Sequence, residues 1–488
     1  MRRLIKDAAI YGVGDLIFKF VAFAVFPIYA NLFSVEQFGV LALVITSAAL
    51  VSVVLNLGLN NAIQRYYFEP NILEERRPVL VSTGLIVLLL WSSLVTALLL
   101  FGLHPLKGTL EQRYDIEWLF LVLALTSNIP LLIITYCLDV LRLHFSPWWY
   151  SLLAALRSLP AVAIGLFLIF ALEQGLLGIF AGQVLGLILA VPLGLWLIRK
   201  ELGWRFDFGV AREIVLFGYP FVFVSLAYWA FGSMDRWMLG ELSDNTNVGL
   251  FSIAYSFAGV ITFVTLAFGQ AWSPYVFKLY AEDPDYRDKI GRLFSYWFFA
   301  LAFIGLIISL FSYEILRLTT PETYWPAATT LSVLAMGFVL AGTTQFTPLG
   351  ISLERRTNLL SVAAWITAIV NFLLNLVLIS KWGALGSGAA TFLSYAALTG
   401  LYLYWAQKLH PLPLEARKLL FSLFIVVFAP LFSGFLNLFE WGVWLIVVKA
   451  LILSLVLLLG FAARIIKFSD IKRVADPRVV RLAVRERG

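Results

Sequence analysis

Long apolar segments separated by short polar loops occupy almost the whole chain. Each has about the ~20 residues that an α-helix needs to cross a ~30 Å hydrocarbon core, where a helix satisfies its own backbone groups. The pattern predicts fourteen membrane spans, at residues 8–33, 38–63, 79–103, 117–138, 147–171, 175–198, 213–239, 247–275, 293–313, 326–350, 358–380, 384–407, 418–437 and 442–466. Because the loops are short, the protein is predicted to be all-α and to act among its membrane helices.

The composition excludes several other classes of protein. The mean hydropathy is +0.90 and charged residues make up 13% of the chain, whereas they make up about a quarter of a soluble domain. Cys137 is the only cysteine and the three histidines are scattered, so neither a disulfide framework nor a metal cluster is expected. No cofactor is expected either. The apolar run after the basic N-terminus continues to Phe33 without a small-residue cleavage site, which predicts an uncleaved first span.

The positive charges are unevenly distributed between the two sets of loops. One set, together with the two termini, carries 28 of the 36 Lys and Arg residues, and the other carries only Lys107, Arg113, Arg317 and Lys381. The positive-inside rule therefore predicts that both termini are cytoplasmic. Because topology accounts for the net charge of +7, no nucleic-acid partner is expected. The basic tail (467–488) is predicted to lie against the headgroups of anionic membrane lipids, with a partner-binding tail as the alternative.

Two pairs of segments repeat at matching positions along the chain. Residues 36–68 are similar to residues 245–277, with Gly39 matching Gly249. In the same order, GLLGIFAGQ (175–183) is similar to GALGSGAAT (383–391). Matches at a nearly constant offset indicate an internal duplication.

The repeat predicts the organisation of the chain. We expect an N-lobe (1–205, spans 1–6), a C-lobe (206–410, spans 7–12) in parallel pseudo-twofold repeat, and two additional C-terminal helices (411–466). Two-lobed transporters of this kind bind their substrate near the bilayer midplane and rock to expose it to either side.

Several motifs resemble those of the polysaccharide-biosynthesis (oligosaccharidyl-lipid) flippases, a family of the multidrug/oligosaccharidyl-lipid/polysaccharide exporter superfamily. They are EQFG (36–39), NLGLNNAIQRYY (56–67), MDRWMLG (234–240) and the Gly-rich openings of spans 6 and 12. The resemblance implies a flippase rather than an enzyme, which moves isoprenoid-pyrophosphate-linked oligosaccharide across the bacterial inner membrane by alternating access. It implies that the two extra spans accommodate the lipid tail. Polysaccharide polymerase and glycosyltransferases are candidate partners.

Ionisable residues inside a span are functional candidates, because the bilayer interior disfavours charge. Arg157 lies near the middle of span 5 without an acid in its own span, and a guanidinium binds a pyrophosphate bidentately. The alternative is a structural pair with Asp15, Asp139 or Asp235 on another helix. Lys19 follows Asp15 by four residues on one face of span 1. These two residues form either a cavity-lining pair or a neutralised structural pair.

The remaining substrate-binding candidates lie closer to the span ends. Asn56 and Asn60 belong to a polar stripe of span 2 that continues to Arg65 and is expected to line a cytoplasm-facing cavity. Arg236 lies near the outer end of span 7, either as an exit contact or as an interfacial anchor. Lys449 in span 14 either reaches outward or faces the groove along which a lipid pyrophosphate moves.

The charges inside the spans are mainly basic, which favours an anionic cargo. Asp15 is the first candidate for coupling to H⁺ or Na⁺, followed by Asp235 and Asp139. Two alternatives in the same superfamily are a peptidoglycan lipid-precursor flippase and a multidrug/cation antiporter. The antiporter is expected to have twelve spans and an acid-lined cavity.

Two other classes of function are disfavoured by the sequence. An ATP-driven pump needs a G-x-x-x-x-G-K-[ST] loop, which the chain lacks. A lipid-linked glycosyltransferase generally needs a sizeable outer loop, and the longest one here is short (102–117). The D-x-D sequence at 283–285 is interpreted as a solvated turn rather than a metal site.

Overall fold

The fold is built from apolar helices. The computed structural model describes residues 23–67, 76–144, 146–356, 358–436 and 442–463, and every regular element in these ranges is helical. Within them, 11 helical stretches are long and apolar enough to cross a membrane, and Phe23–Leu32 and Ala327–Thr343 are shorter apolar helices. The stretch Asn358–Leu409 bends at Gly383 (φ 52°) into two halves of span length. The predicted all-α membrane fold is confirmed, and these helices are consistent with fourteen spans.

The helices are numbered in chain order. Their bounds are α1 Phe23–Leu32, α2 Val35–Asn56, α3 Leu59–Tyr67, α4 Arg77–Leu103, α5 Lys107–Tyr114, α6 Trp118–Leu143, α7 Pro147–Leu172, α8 Gly175–Leu197, α9 Phe208–Leu242, α10 Asn245–Ala258, α11 Val260–Glu282, α12 Tyr286–Leu310, α13 Ser312–Thr319, α14 Ala327–Thr343, α15 Leu349–Leu353, α16 Asn358–Leu409, α17 Ala416–Leu436 and α18 Val443–Ala462. Short 3₁₀ turns follow α4 and α8 and precede α14.

The described residues divide into two compact units between Ser252 and Ile253, within α10. The predicted lobe boundary, at 205/206, lies before α9. In the structure α9 packs against α2, α3 and α4 and so belongs to the first unit. The grouping of the spans into six, six and two rests on the sequence repeat and stays a prediction.

Small residues bring α7 and α8 of the first unit into close contact. A Cβ added to Gly182 would lie 2.4 Å from the Cα of Gly165, and one added to Gly186 would lie 2.4 Å from the Cα of Ala161. Such close approach strengthens helix packing in a membrane, where apolar burial gives little drive for helix association. Helix α6 packs against both α7 and α8 and contributes the buried Cys137.

The two C-terminal helices make polar contacts with other helices of the second unit. The Oγ of Ser433 on α17 donates a 2.6 Å hydrogen bond to the carbonyl oxygen of Ser309 on α12. The Nζ of Lys449 on α18 donates a 2.6 Å hydrogen bond to Oε1 of Glu314 on α13. Polar contacts between helices are worth about 1 kcal/mol in membranes, so both helices are held in defined positions.

The two copies of the sequence repeat begin with equivalent helix caps. At the start of α2, Oγ of Ser34 accepts a 3.3 Å hydrogen bond from the backbone N–H of Gln37. At the start of α10, Oδ1 of Asp244 accepts a 2.7 Å hydrogen bond from the backbone N–H of Asn247. Each cap satisfies a backbone N–H that the first helical turn leaves unpaired. The repeated segments therefore share a helix start as well as a residue pattern.

The starts of α2 and α10 also touch through a reciprocal pair of glycines. A Cβ added to Gly39 would lie 2.1 Å from the carbonyl oxygen of Asn245, and one added to Gly249 would lie 2.1 Å from that of Val35. Positions 35 and 245, like 39 and 249, are equivalent in the repeat. The contact is therefore symmetric, and only glycine leaves room for it.

Candidate functional site

The helix of predicted span 2 is broken in its interior. Leu57 (φ 53°) and Gly58 (φ 66°) adopt left-handed backbone conformations and separate α2 from α3. The predicted span 38–63 is therefore two helices, because glycine readily takes this conformation and ends a helix. Broken helices in transporters commonly line the substrate path.

Backbone carbonyl groups near the break accept hydrogen bonds from a side chain and from the main chain. The Nε1 of Trp91 on α4 donates a 3.0 Å hydrogen bond to the carbonyl oxygen of Val54. The carbonyl oxygen of Gly58 accepts hydrogen bonds from the N–H groups of Asn61 (3.1 Å) and Ala62 (3.2 Å). Non-helical backbone at membrane depth is tolerated only where protein or a water-filled cavity surrounds it.

Helix α9 supports the break from the other side. A Cβ added to Gly58 would lie 2.1 Å from the carbonyl oxygen of Gly218, and one added to Gly218 would lie 2.5 Å from that of Leu57. The two backbones touch directly at this crossing. It fixes the direction in which α3 leaves the break.

A cavity of about 500 Å³ lies beside the break within the first unit. Five of its lining residues carry side-chain amides and come from α2, α3, α6 and α8: Asn56, Asn60, Asn61, Asn128 and Gln183. The rest of the lining includes small and apolar residues such as Ala48, Ser52, Phe180 and Ser225. Asn56 and Asn60, which the polar stripe predicts to share a cavity, both belong to this lining.

Among the described residues the lining contains no ionisable side chain, and the amides give it a neutral, hydrogen-bonding surface. Each amide offers two donors and an acceptor with two lone pairs, which suits hydroxyl groups that both donate and accept. One amide serves the fold: Asn128 is buried and its Nδ2 donates a 3.0 Å hydrogen bond to the carbonyl oxygen of Ala48. The arrangement is suited to a polar, uncharged group such as a sugar.

Arg65 and Arg157 lie outside the cavity lining. Arg65 is exposed, one helical turn beyond Asn61, with its guanidinium 4.6 Å from the centre of the Phe217 ring. Arg157 is partly buried in α7 and has no ion pair or hydrogen bond within the described part of the chain. Its predicted structural partners Asp139 and Asp235 pair with neighbouring arginines instead.

Asp235 and Arg236 form a buried pair in α9. The exposed fractions of their side chains are 1% and 12%, and Nη1 of Arg236 lies 3.2 Å from Oδ1 of Asp235. Arg236 Nη1 also donates to the carbonyl oxygen of Gly232 at 3.2 Å. Within the described residues, Oδ2 of Asp235 has no hydrogen-bond partner. The pair is therefore largely buried within the first unit.

The other predicted charges are distributed over separate places. Asp139 lies 3.9 Å from Arg142 at the end of α6, and Lys449 is fully buried against Glu314 in the second unit. The candidates Asp15 and Lys19 lie outside the described residues. Sequence reasoning missed Asn128 and Gln183, whose signal was a single amide in an otherwise apolar span.

The D-x-D sequence forms a turn between α11 and α12. Oδ1 of Asp283 accepts a 2.9 Å hydrogen bond from the backbone N–H of Asp285, and Oδ2 pairs with Nζ of Lys289. The hydrogen bond from Lys289 holds the pKa of the Asp283 carboxyl below its ordinary value. Local contacts thus account for both oxygens of this carboxylate.

A family model described as "Polysaccharide biosynthesis protein" matches residues 4–280, more than half of the chain. The chain belongs to this polysaccharide biosynthesis protein family. The flippase family predicted from the sequence motifs is thereby confirmed, within the multidrug/oligosaccharidyl-lipid/polysaccharide exporter superfamily.

Two curated relatives illustrate the family. "Lsg locus putative protein 1" of Haemophilus influenzae is 21% identical over 324 residues, covering 64% of this chain and 76% of that protein. "Probable low-salt glycan biosynthesis flippase Agl15" of Haloferax volcanii is 24% identical over 231 residues, covering 46% of this chain and 48% of that protein.

Solved structures of transporters share the fold of this polysaccharide biosynthesis protein. An inward closed structure of the lipid II flippase MurJ has a TM-score of 0.71 at 15% identity, covering 93% of this chain and 98% of that one. An inward-facing multidrug resistance MATE family transporter of the same superfamily has a TM-score of 0.61 at 13% identity, covering 80% and 97%. The chain is therefore a multi-pass membrane protein with the fold of the superfamily's flippases and transporters.

Among its described residues, each unit of this polysaccharide biosynthesis protein also contains a histidine–glutamate pair. In the first, Nε2 of His144 lies 3.1 Å from Oε2 of Glu201. In the second, Nδ1 of His410 lies 2.9 Å from Oε1 of Glu354. Glu354 follows His144 by 210 positions and His410 follows Glu201 by 209. The pairs thus occupy equivalent places in the repeat with the two residue types exchanged.

Proposed function

We propose that this protein flips an isoprenoid-pyrophosphate-linked oligosaccharide across the bacterial inner membrane by alternating access, from the cytoplasmic face on which its basic loops lie. The observation that carries the proposal is the amide-lined cavity beside the broken helix. Its neutral lining suits sugar hydroxyls, and its volume of about 500 Å³ is of the size that holds a small ligand or a part of a larger one. Family membership supports the same class of cargo.

In this proposal the glycan and the pyrophosphate occupy different places. The sugars pass through the cavity, while Arg65, one turn beyond it, receives the pyrophosphate at the membrane surface. Arg157 then holds the pyrophosphate during passage, because it is partly buried and has no carboxylate partner in the described ranges. Lys19 and Arg236 are proposed as further cationic contacts.

The coupling step is assigned to Asp235. It is 1% exposed, and its Oδ2 has no hydrogen-bond partner among the residues that the structure covers. A buried carboxylate with one unpaired oxygen takes up a proton readily when its surroundings change. Asp15 remains a second candidate. Polymerase and glycosyltransferases are proposed to supply and consume the cargo.

A peptidoglycan lipid-precursor flippase is the second candidate function. The likeness to the MurJ fold over 93% of the chain favours it. The cavity offers the same hydrogen-bonding chemistry to either glycan, so direct competition between the two lipid-linked cargoes distinguishes them. A multidrug/cation antiporter is disfavoured, since the described part of the cavity lining includes no carboxylate.

Removing two cavity amides is expected to slow flipping about tenfold, because each loses a net hydrogen bond to the glycan. The variant is Asn60→Leu with Gln183→Leu, and the control is Asn31→Leu, which removes an exposed amide of α1 outside the cavity. The measurement is the flipping rate of a fluorescent lipid-linked oligosaccharide in proteoliposomes. An unchanged rate in the double variant would refute the proposed cavity.

Arg157→Ala is expected to abolish export of surface glycan, because the pyrophosphate loses its bidentate partner in the membrane. Arg157→Lys should retain part of the activity, since a lysine keeps the charge but not the planar fork. The matched control is Arg212→Ala, which removes an exposed arginine of α9. Surface glycan is measured in cells lacking the native gene, with the amount of membrane-inserted protein as reference. Normal export by Arg157→Ala would show that Arg157 does not belong to the substrate-binding site.

A further inference from the structure

A second pocket, of about 360 Å³, lies in the first unit where α6 and α8 end and α7 begins. We call it the Trp149–Trp196 pocket. Its lining includes His144, Trp149, Trp196, Arg199, Lys200 and Glu201. None of these residues lines the amide cavity. It is a separate site at the ends of three membrane spans, on the side that carries the basic loops.

Two indole rings place this pocket at the depth of lipid headgroups. Trp149 and Trp196 are 48% and 51% exposed. Their rings meet edge to face with centroids 6.4 Å apart. Tryptophan concentrates at the membrane–water interface, where the ring contacts both acyl chains and headgroups. The pocket therefore opens at the interface.

The charges of the pocket favour an anion. The guanidinium of Arg199 lies 4.3 Å from the centre of the Trp196 ring. Neither Arg199 nor Lys200 forms an ion pair with a described residue. Glu201, the acid of the lining, is already engaged by His144 at 3.1 Å and by the hydroxyl of Tyr67, which donates at 3.3 Å. The exposed cations Arg199 and Lys200 are therefore available to bind an anion at the opening of the pocket.

An exposed apolar track leads away from the pocket along α8. Leu189 and Leu185 precede Trp196 by seven and eleven residues, so they lie on the same helix face. They are 65% and 46% exposed. A headgroup in the pocket would thus have its acyl chains along this track. A soluble anion would leave the track unused.

We propose that the Trp149–Trp196 pocket binds the phosphate headgroup of an anionic membrane phospholipid, with the acyl chains along the apolar face of α8. Arg199 and Lys200 contact the phosphate, and the two indoles flank it. The bound lipid is a permanent neighbour of the protein and not the cargo. This site is independent of the amide cavity and of the function proposed for it.

The test uses the purified full chain in detergent and measures lipid binding by native mass spectrometry and thermal stabilisation. Phosphatidylglycerol is expected to bind and raise the Tm more than phosphatidylcholine. Arg199→Gln with Lys200→Gln should weaken phosphatidylglycerol binding about 10- to 30-fold. Trp196→Leu should weaken it without changing the charge.

The control is Arg205→Gln with Arg212→Gln, which removes two exposed positive charges of the same unit outside the pocket. Unchanged binding in this control supports a specific site. An equal loss in both double variants would overturn the proposal in favour of general surface attraction. Equal stabilisation by inorganic phosphate, or competition by an isoprenoid pyrophosphate at this pocket, would overturn the assignment to a membrane phospholipid.

Discussion

Replacing Gly218 by valine is expected to lower the Tm and to reduce flipping by more than tenfold. The Cβ position of Gly218 lies 2.5 Å from the carbonyl oxygen of Leu57, so a side chain there must push α3 away from α9. Overpacking of this kind costs about 1–3 kcal/mol of folding free energy. The displacement also moves Asn60 and Asn61, which line the cavity from α3.

Gly232→Val is the matched control, because Gly232 lies on the same helix and its Cβ position has no atom within 4 Å. Its effect on folding free energy is expected to be within about 0.5 kcal/mol. Thermal unfolding in detergent and flipping in proteoliposomes are measured for both variants. Equal behaviour of the two would show that the contact between α3 and α9 does not hold the break in place.

Lys449→Met is expected to destabilise the protein by about 3–5 kcal/mol, because it leaves the carboxylate of Glu314 in a largely buried position without its cation. Lys449 is fully buried and donates a 2.6 Å hydrogen bond to that carboxylate. Adding Glu314→Gln removes the uncompensated charge and should restore most of the stability. The Tm of the two single variants and the double variant measures the coupling between the residues.

The same variants separate a structural role of Lys449 from a role in substrate binding. A structural pair predicts that the double variant, once folded, flips lipid-linked oligosaccharide at a near-normal rate. A cargo contact predicts loss of flipping in every variant that lacks Lys449, whatever its stability. A stable double variant without activity would thus show that Lys449 contacts the substrate.

The spans were predictable from the sequence because the bilayer imposes a length and a hydropathy on each of them. The stripe of Asn56 and Asn60 was predicted because residues four apart on one helix share a face. In the structure the two residues lie on α2 and α3, on either side of the break, and both line the cavity. The break at Gly58 was not predictable from the sequence. A lone glycine within an apolar segment is compatible with a straight helix, and the left-handed turn here depends on the contact with Gly218 of α9.

The partner of Lys449 was also beyond prediction. Lys449 has no acid within its own span, and its partner Glu314 comes from a short helix more than a hundred residues earlier. Such pairs are fixed by which helices become neighbours, and the periodicity of one helix carries no information on that. The contributions of Asn128 and Gln183 to the cavity depend on the same kind of packing.

The exchanged histidine–glutamate pairs have a consequence for how the duplication is recognised. A residue-by-residue alignment of the two copies sets His144 against Glu354 and Glu201 against His410, and it scores both positions as mismatches. The two mismatches nevertheless compensate each other, because each copy retains one imidazole ring opposite one carboxylate. Covariation between paired positions would detect this ancestry where identity does not. A first copy carrying His144→Glu with Glu201→His would simply adopt the order that the second copy already has.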